Sequence, residues 1–254
     1  MKLLRRLVLT LIVLVVVAAI VAATLPASLA YRFIADRMGV VRLQGISGTL
    51  WRGHADVVQA FGQNVGAVDW HVDVEPLLNR RVRAHLNLNG SQLKASGMLE
   101  RHADGTIEVR EANFAMPASM LAPALDIPAL SLLGDIDGTI AHARLQTAWV
   151  DQASGNATWH NAAVAGAAQA QLGDIKATFA STDDDVIGGT IHDMGGPLRI
   201  AGTFTVDAGK FDADATLAAR DGNPQIVDAL RYIGQPQADG SSHLIIHGQL
   251  FKLF

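Results

Sequence analysis

The sequence of 254 residues contains no cysteine, which excludes disulfide bonds, thiolate metal sites and thiol catalysis. Aromatic side chains are also scarce, at 6% of the residues. No dense cluster of lysine and arginine follows residue 30, and residues 31–254 hold 17 basic and 24 acidic side chains, a net charge of −7. Nucleic-acid binding is therefore not expected, because it requires concentrated positive charge.

Motifs that carry catalysis or hold a metal ion are missing as well. There are nine histidines, but no His-Glu-x-x-His occurs, and His243 and His247 would stand about 13 Å apart on one strand. The acidic run Asp183-Asp184-Asp185 lacks the spaced ligands of an EF-hand loop. Ser47 and Ser119 lack the glycines of a nucleophile elbow. We therefore expect no enzyme, no catalytic residue, no metal site and no cofactor.

One long apolar run lies near the N-terminus, from Leu7 to Leu25. Its uncharged residues span about 28 Å as a helix, close to the ~30 Å hydrocarbon core of a bilayer. Lys2, Arg5 and Arg6 precede the run, and positive charge at this position holds that end in the cytoplasm. The sequence therefore predicts a cytoplasmic N-terminus at residues 1–6, a single transmembrane helix at residues 7–25, and a remainder placed across the membrane.

A cleaved signal peptide is the alternative to an anchor, because Ser28-Leu29-Ala30 has the small residues of a cleavage site. The apolar run is longer than the ~7–15 residues usual for a cleaved signal, which favours retention. Pro26 ends the apolar helix, and residues 26–39 are interpreted as a juxtamembrane linker. Within that linker, Ala30 to Arg37 is expected to form a short amphipathic turn at the membrane surface.

From residue 40 onward the chain consists of short apolar runs with internal alternation, separated by Gly, Asn and Asp. Apolar residues occupy every second position from Val82 to Leu88, so that one side faces a core and the other faces water. Further strand-like runs are Val40–Leu43, Val65–Val74, Leu93–Leu99, Leu132–Ala141, Arg144–Val150, Gly155–Trp159, Ala167–Leu172, Ile175–Phe179, Val186–Asp193, Leu198–Phe204, Lys210–Leu217 and His243–Leu250. The prediction is a mainly β protein, with an extended, twisted antiparallel sheet over residues 40–254.

Turn and helix signals fit an antiparallel meander. Asn89-Gly90 and Asp104-Gly105 have the residues favoured in two-residue hairpin turns, and both lie between strand-like runs. Short helices are predicted at Met116–Pro123 and at Pro224–Tyr232, where prolines limit their length.

The stretch Gly45-Ile46-Ser47-Gly48-Thr49-Leu50-Trp51-Arg52-Gly53 has three glycines around one tryptophan. This pattern favours a strand with a bulge or a close backbone approach, covered by a large amphipathic ring. Two interpretations of Trp51 remain open. It anchors the first strand of the sheet as a buried residue, or it meets a partner at an edge or groove.

At these residues the sequence resembles the N component of the bacterial type II secretion system. The motif Gly-x-x-Gly-Thr-Leu-Trp-x-Gly, soon after an N-terminal apolar segment, is the first point of similarity. The others follow in order: Val68-Asp69-Trp70, Pro76-Leu77-Leu78, Trp159-His160-Asn161-Ala162, Asp193-Met194-Gly195-Gly196-Pro197-Leu198, Leu230-x-x-Ile233-Gly234-Gln235-Pro236 and Asp239-Gly240. The similarity runs through most of residues 20–250. Ser241 departs from it, because a basic residue is expected after Asp239-Gly240.

The resemblance implies a single-pass inner-membrane protein with a periplasmic domain, an accessory part of the machine that exports folded proteins across the outer membrane. It implies no catalytic residues. The partners expected are other inner-membrane or periplasmic secretion components, met by strand addition at a sheet edge or through the Trp51 region, and the bilayer, met through the N-terminal helix. The candidate motif or contact residues are Gly48, Thr49, Leu50, Trp51, Gly53, Trp70, Trp159, Gly195, Gly196 and Pro197.

The alternative function is lipid binding or transfer by a membrane-anchored periplasmic sheet, similar to the AsmA group. Long antiparallel sheets with an apolar concave face can hold acyl chains, so bound lipid is a second partner to consider. The deciding feature is whether one apolar face lacks a covering helix. The segments Ala118–Leu133 and Pro224–Tyr232 are the candidates to cover it.

Overall fold

The computed structural model describes residues 23–60, 62–122, 129–146, 149–182 and 184–249. Within them the chain forms one antiparallel sheet of 14 strands, in which the order follows the sequence except that β13 lies outside β14. The strands are β1 (Val41–Gly48), β2 (Arg52–Ala60), β3 (Gln63–Asp73), β4 (Val82–Asn89), β5 (Lys94–Arg101), β6 (Ile107–Pro117), β7 (Leu130–Gln146), β8 (Trp149–Gly166), β9 (Ala170–Ser181), β10 (Ile187–Asp193), β11 (Leu198–Asp207), β12 (Lys210–Ala219), β13 (Gln235–Pro236) and β14 (Ser242–Gln249). The predicted mainly β, antiparallel fold is confirmed.

Among the residues from 26 onward that the structure describes, helical segments are few and short, as predicted for the sheet domain. The α-helices there are α1 (Ala27–Ile34) and α2 (Pro224–Ala229), and the 3-10 turns are Ala35–Arg37, Glu75–Asn79, Ala118–Leu121, Arg220–Gly222 and Leu230–Tyr232. Helix α2 begins where Asn223 accepts hydrogen bonds from the backbone N–H groups of Gln225 and Ile226, at 3.0 and 3.3 Å. The segment predicted to be helical at Met116–Pro123 contains a 3-10 turn instead, because β6 continues to Pro117.

The N-terminal calls fall mostly outside the described residues: Lys2, Arg5, Arg6 and the apolar run as far as residue 22. In the part of the chain that the structure describes, no helix is long and apolar enough to cross a membrane. Leu25 is described, and its carbonyl accepts a hydrogen bond of 2.9 Å from the backbone N–H of Leu50. The chain therefore already contacts the turn between β1 and β2 at Leu25, the residue where the predicted anchor ends.

The turn predicted at Asn89-Gly90 is wrong in its length. Strand β4 ends at Asn89 and β5 begins at Lys94, so the connection has four residues, closed by a hydrogen bond of 2.9 Å from Gly90 N–H to the Leu93 carbonyl. Gly90 is needed for a different reason, since a Cβ there would lie 2.0 Å from the Val65 carbonyl oxygen. Backbone contact with the neighbouring strand, and not a positive φ, requires this glycine.

The loop predicted at Asp104-Gly105 is also longer than two residues, because it spans residues 102–106. Gly105 does adopt a positive φ of 93°. The Asp104 carboxylate accepts a hydrogen bond of 2.9 Å from Thr106 N–H, which stabilises the turn.

The middle of the sheet has longer strands than the sequence predicted. Leu132–Ala141 and Arg144–Val150 were expected to be separate strands. The first lies within β7, which runs unbroken through 17 residues. The second is wrong as a single strand, because Arg144–Gln146 end β7 and Trp149–Val150 begin β8, which has 18 residues. Register shifts interrupt their pairing, one of them next to Gly134, which has a φ of 100°. The polar and glycine interruptions in the sequence are therefore bulges within strands and not turns between them.

The buried core lies against the C-terminal half of the sheet. All fully buried members of the main hydrophobic cluster fall between residues 118 and 233. Helix α2 and the turn Ala118–Leu121 provide part of the cover, through Ile226, Ala229 and Ala118, which are almost completely inaccessible to solvent. Of the segments expected to cover an apolar face, Pro224–Tyr232 does so, and so does the start of Ala118–Leu133. The rest of Ala118–Leu133 lies in residues 123–128, outside the described ranges, or belongs to β7 from Leu130 onward.

Candidate functional site

The family-like motif at residues 45–53 forms the corner between β1 and β2. Gly48 ends β1 with a φ of 80°, and a Cβ there would lie 2.6 Å from the carbonyl oxygen of Arg52. The Thr49 backbone N–H donates to that carbonyl at 2.8 Å, and the Thr49 hydroxyl accepts from Arg52 N–H at 3.2 Å. Glycine and threonine at these positions thus allow a tight reversal between the strands.

Trp70 on β3 covers this corner. It lies opposite Gly53 in the β2–β3 pairing, and a Cβ on Gly53 would stand 2.2 Å from the indole ring. The indole N–H donates to the Leu50 carbonyl at 3.1 Å. The ring that covers the glycine is therefore Trp70, which the sequence placed in the motif set without identifying its partner.

Trp51 lies in the turn itself and is half-buried. Its carbonyl accepts a hydrogen bond of 2.7 Å from Val72 N–H, and Pro26 bridges to Thr49 on the other side of the turn. The structure therefore brings Gly48, Thr49, Leu50, Trp51, Gly53 and Trp70 together. They meet at the point where the chain coming from the predicted anchor reaches the sheet.

Replacing Gly53 by Ala should lower the free energy of unfolding by about 2 kcal/mol, because the new methyl group must displace the Trp70 ring or the backbone. The measurement is urea denaturation of the purified full-length protein, followed by circular dichroism. Gly188→Ala is the matched control, since Gly188 also lies in a strand but has no atom within 4 Å of the added methyl group. We expect the control to be unchanged or slightly stabilised; equal losses in both variants would contradict the close-packing explanation.

Gly195, Gly196 and Pro197 lie elsewhere, in the loop between β10 and β11, where Asp193 organises the backbone. The Asp193 carboxylate accepts hydrogen bonds from the N–H groups of Gly195 and Ile200, at 3.0 and 3.1 Å, and it forms an ion pair with Arg220.

Arg220 joins this loop to the chain after β12. Its guanidinium donates to the Gly196 carbonyl at 2.8 Å, and its backbone N–H donates to the Pro197 carbonyl at 2.8 Å. Gly196 is also in tight contact with strand β9, because a Cβ there would lie 2.6 Å from the Cα of Gly173. This second motif therefore joins the β10–β11 loop to β9 and to the segment after β12.

Trp159 belongs to neither group. It lies on β8, packs against the C-terminal core, and donates its indole N–H to the Leu133 carbonyl at 2.9 Å. Its arrangement is like that of Trp70, since each indole is bonded to a carbonyl where the adjacent strand ends or bulges. The indole N–H groups of Trp70 and Trp159 therefore each have a hydrogen-bond partner within the chain.

The feature that sequence reasoning did not locate is an apolar groove of about 620 Å³ on the inward face of β1–β6. Helix α1 forms one wall of it, through Ala27, Ala30, Tyr31 and Ile34. The strands contribute among others Leu43, Val68, Trp70, Val72, Leu86, Leu88, Leu99 and Val109. The alternation from Val82 to Leu88 was the available signal, but it predicted a filled core, and these side chains remain half-buried or exposed.

The outward face carries pairs of histidine and carboxylate side chains. His243 and His247 each bind their own aspartate, Asp214 at 2.9 Å and Asp212 at 2.5 Å. Within the described ranges, no three histidine or acidic side chains are arranged to hold a metal ion. The outward pairs therefore link neighbouring strands.

The outward groups with shifted pKa values include His54 and Glu100. The hydrogen bond to Asp69 raises the pKa of His54 above its ordinary value. Burial raises the pKa of Glu100, but the hydrogen bonds and positive charges of Arg83 and Arg81 outweigh it and bring the pKa below its ordinary value. Both effects stabilise the charged forms of cross-strand pairs.

The two edges of the sheet differ in their cover. At β1, helix α1 lies alongside, and the Tyr31 hydroxyl accepts a hydrogen bond of 3.0 Å from Leu43 N–H. At the other end, β13 pairs with β14 over two residues, Ser242 and His243. Beyond them, residues 244–248 have no strand on their outer side in the part of the chain that the structure describes. An uncovered strand of this kind is able to accept a strand from a partner.

An open antiparallel sheet with one apolar face defines the class of the chain as a mainly β, antiparallel-sheet protein. The chain belongs to the family described as Type II secretion system (T2SS), protein N, whose model matches residues 40–244. It is 23% identical over 235 residues to the type II secretion system protein N of Vibrio cholerae serotype O1, covering 89% of this chain and 91% of that protein. The protein of the same name from Aeromonas hydrophila is 23% identical over 234 residues, with the same coverage. No solved structure matches the chain significantly.

The family resemblance drawn from the motifs is therefore confirmed. All ten candidate motif residues, from Gly48 to Pro197, lie inside the matched region. Family membership supports a component of the type II secretion system, and the structure adds where the motif residues lie and what each of them contacts.

Proposed function

We propose that this chain is a non-enzymatic accessory component of the type II secretion system, anchored in the inner membrane by residues 7–25, with its sheet in the periplasm. The observation that carries the proposal is the family match over residues 40–244, which extends from the start of β1 into β14. The same region shows close structural contacts at both motifs, so the family pattern describes how this sheet is built.

The anchor concentrates the sheet among other inner-membrane components. Restricting a protein to one membrane raises its effective concentration toward partners in that membrane, without any new contact. The corner at Gly48–Gly53 supports this arrangement, because Pro26, the residue directly after the predicted anchor, pairs with Thr49. The first strands are thereby held close to the membrane surface.

The outer edge of β14 is the proposed contact with a secretion partner. Strand addition supplies backbone hydrogen bonds to the open side of residues 244–248, and side chains on the two faces then select the partner. Ile245 faces outward on this edge and is 47% exposed. Its inward neighbour Ile246 is buried in the apolar face, so the strand is well ordered for such pairing.

Cross-linking in living cells tests the proposal, and the natural absence of cysteine makes single-cysteine variants unambiguous. Ile245→Cys, modified with a maleimide that carries a benzophenone, should be joined to another secretion component on irradiation, with a yield about fivefold above that of the control. The control is Thr205→Cys, which is exposed on β11 but has paired strands on both sides. Both variants should restore secretion to a strain that lacks the protein, and adducts are identified by mass spectrometry.

Equal cross-linking of both variants, or adducts with a second copy of the chain alone, would refute β14 as the contact with a secretion partner. Carbonate extraction of the same membranes tests the anchor. The full-length chain should stay in the membrane pellet, whereas a shortened, soluble product would show that the N-terminal segment is a cleaved signal.

A further inference from the structure

The inward face of the sheet is covered more completely in its C-terminal half than in its N-terminal half. An apolar space of about 230 Å³ remains in the C-terminal half. Over β7–β12, helix α2 and the turn Ala118–Leu121 cover the apolar side chains, and Ile226 and Ala118 are completely buried. Over β1–β6 the corresponding side chains line the groove of about 620 Å³. A volume of this size is typical of small-molecule sites, which measure ≈ 300–1,000 Å³.

The chemistry of the wall restricts the occupant to hydrocarbon. Among the described residues, no charged side chain lines the groove. Its polar side chains are Ser96, Trp70, whose indole N–H donates to Leu50, and Tyr31, whose hydroxyl accepts from Leu43 N–H. A polar ligand would lose its hydrogen bonds to water and find few in exchange, which is costly in an apolar site.

Protein occupants fit this groove poorly. An extended partner segment would bring backbone N–H and C=O groups that the apolar wall leaves without partners. A helix satisfies its own backbone, but helix α1 already lies along one wall of the groove. A flexible hydrocarbon chain has neither difficulty.

Helix α1 places the mouth of the groove beside the predicted membrane anchor. The helix begins at Ala27, two residues after the apolar run ends at Leu25, and one side of it lines the groove. The opposite side exposes Leu29 and Phe33, at 45% and 82%, with Arg32 between them. Exposed apolar side chains beside an arginine are typical of a helix that lies in the membrane interface.

From these observations we propose that the groove between helix α1 and the inward face of β1–β6 binds the acyl chains of a membrane phospholipid. The lipid comes from the leaflet in which α1 lies, and its head group stays at the surface. This inference rests on the anchor in the proposed function, and it is separate from the protein contact at the β14 edge. The protein would therefore bind lipid in the groove in addition to its contact with a secretion partner.

The test uses full-length protein in vesicles of phosphatidylethanolamine and phosphatidylglycerol, with a photoreactive diazirine in a fraction of the acyl chains. Irradiation should label peptides from β1–β6. Ala84→Trp fills the groove from β4 and should lower this labelling by at least about fivefold. Asn87→Trp is the matched control, because Asn87 lies on the same strand, is exposed and faces the other way, and its labelling should equal that of the unmodified protein.

A second variant tests the groove independently of Ala84→Trp. Circular dichroism and thermal unfolding show whether each variant is folded. Leu86→Asn introduces a polar amide into the groove wall with the same number of side-chain heavy atoms and the same branching, and it should also lower the labelling. Labels confined to residues 1–25, or equal labelling in the groove variants and the control, would overturn the acyl-chain site, as would cross-links to a second copy in the groove. Flotation of the vesicles separates the two proposals, because protein that does not float refutes the anchor and this lipid source, whereas floating protein without strand labels refutes the groove alone.

Discussion

Asp193→Ala is expected to lower the free energy of unfolding by about 3 kcal/mol, because one side chain holds the loop between β10 and β11. The substitution removes hydrogen bonds from Gly195 and Ile200 and leaves Arg220 without its ion pair. Urea denaturation of the purified protein measures the loss. The control is Asp207→Ala, at an exposed position at the end of β11, which should change the stability by less than about 0.5 kcal/mol.

The loss of unfolding free energy caused by Asp193→Ala should become smaller as the pH falls. Burial raises the pKa of Asp193, but the N–H groups of Ile200 and Gly195, together with Arg220, outweigh burial, so the pKa lies below its ordinary value. The folded protein thus binds this proton less readily than the unfolded chain, whose aspartates titrate near pH ~3.9. The stabilisation is complete above that pH and disappears as the pH falls through the folded pKa. A difference between wild type and variant that stays constant from pH 7 to pH 3 would contradict this account.

Ile226→Ala should destabilise the protein by about 2–4 kcal/mol, through lost burial and the cavity left behind. Ile226 is completely buried where helix α2 packs on the apolar face of the sheet. Val227→Ala is the control on the same helix, since Val227 is 43% exposed, and its effect should stay below about 0.5 kcal/mol. Thermal unfolding and urea denaturation of both variants provide the comparison.

A comparable truncation to alanine in the N-terminal half of the sheet tests whether this loss of stability depends on close packing. Leu86→Ala removes an inward side chain of β4 that lines the groove and is half-buried. Because little close packing surrounds it, the expected loss is about 1 kcal/mol or less. A loss as large as that of Ile226→Ala would mean that the groove is filled by tightly packed protein, against the structure.

The strands were predictable where the local pattern is sufficient. The alternation from Val82 to Leu88 identified β4 because side chains on a strand point alternately to its two faces. Pro224 and the apolar spacing after it identified helix α2 for a similar reason, since a proline suits the first turn of a helix. The order of the family motifs along the chain identified the secretion family, which the match over residues 40–244 confirms.

Features that depend on partners distant in sequence were not predictable. Gly134 lies inside the predicted run Leu132–Ala141, but the bulge that it forms in β7 depends on the pairing with β8. Gly90 reads as a turn residue, but contact with Val65 on another strand explains it. Likewise, Trp70 was identified as a motif residue, while its position over Gly53 depends on the register between β2 and β3.

The amino-acid sequence by itself determined a mainly β antiparallel chain with few helices, the apolar run that predicts an anchor, and the family, because each of these depends on local periodicity or on ordered motifs. The tertiary structure alone decided which half of the apolar face is covered. Inward residues alternate in the same way on β4 and on β7, but helix α2 and the turn Ala118–Leu121 pack over the C-terminal strands. A strand pattern specifies which side chains share a face, whereas the element that covers that face is set by where the chain returns in space.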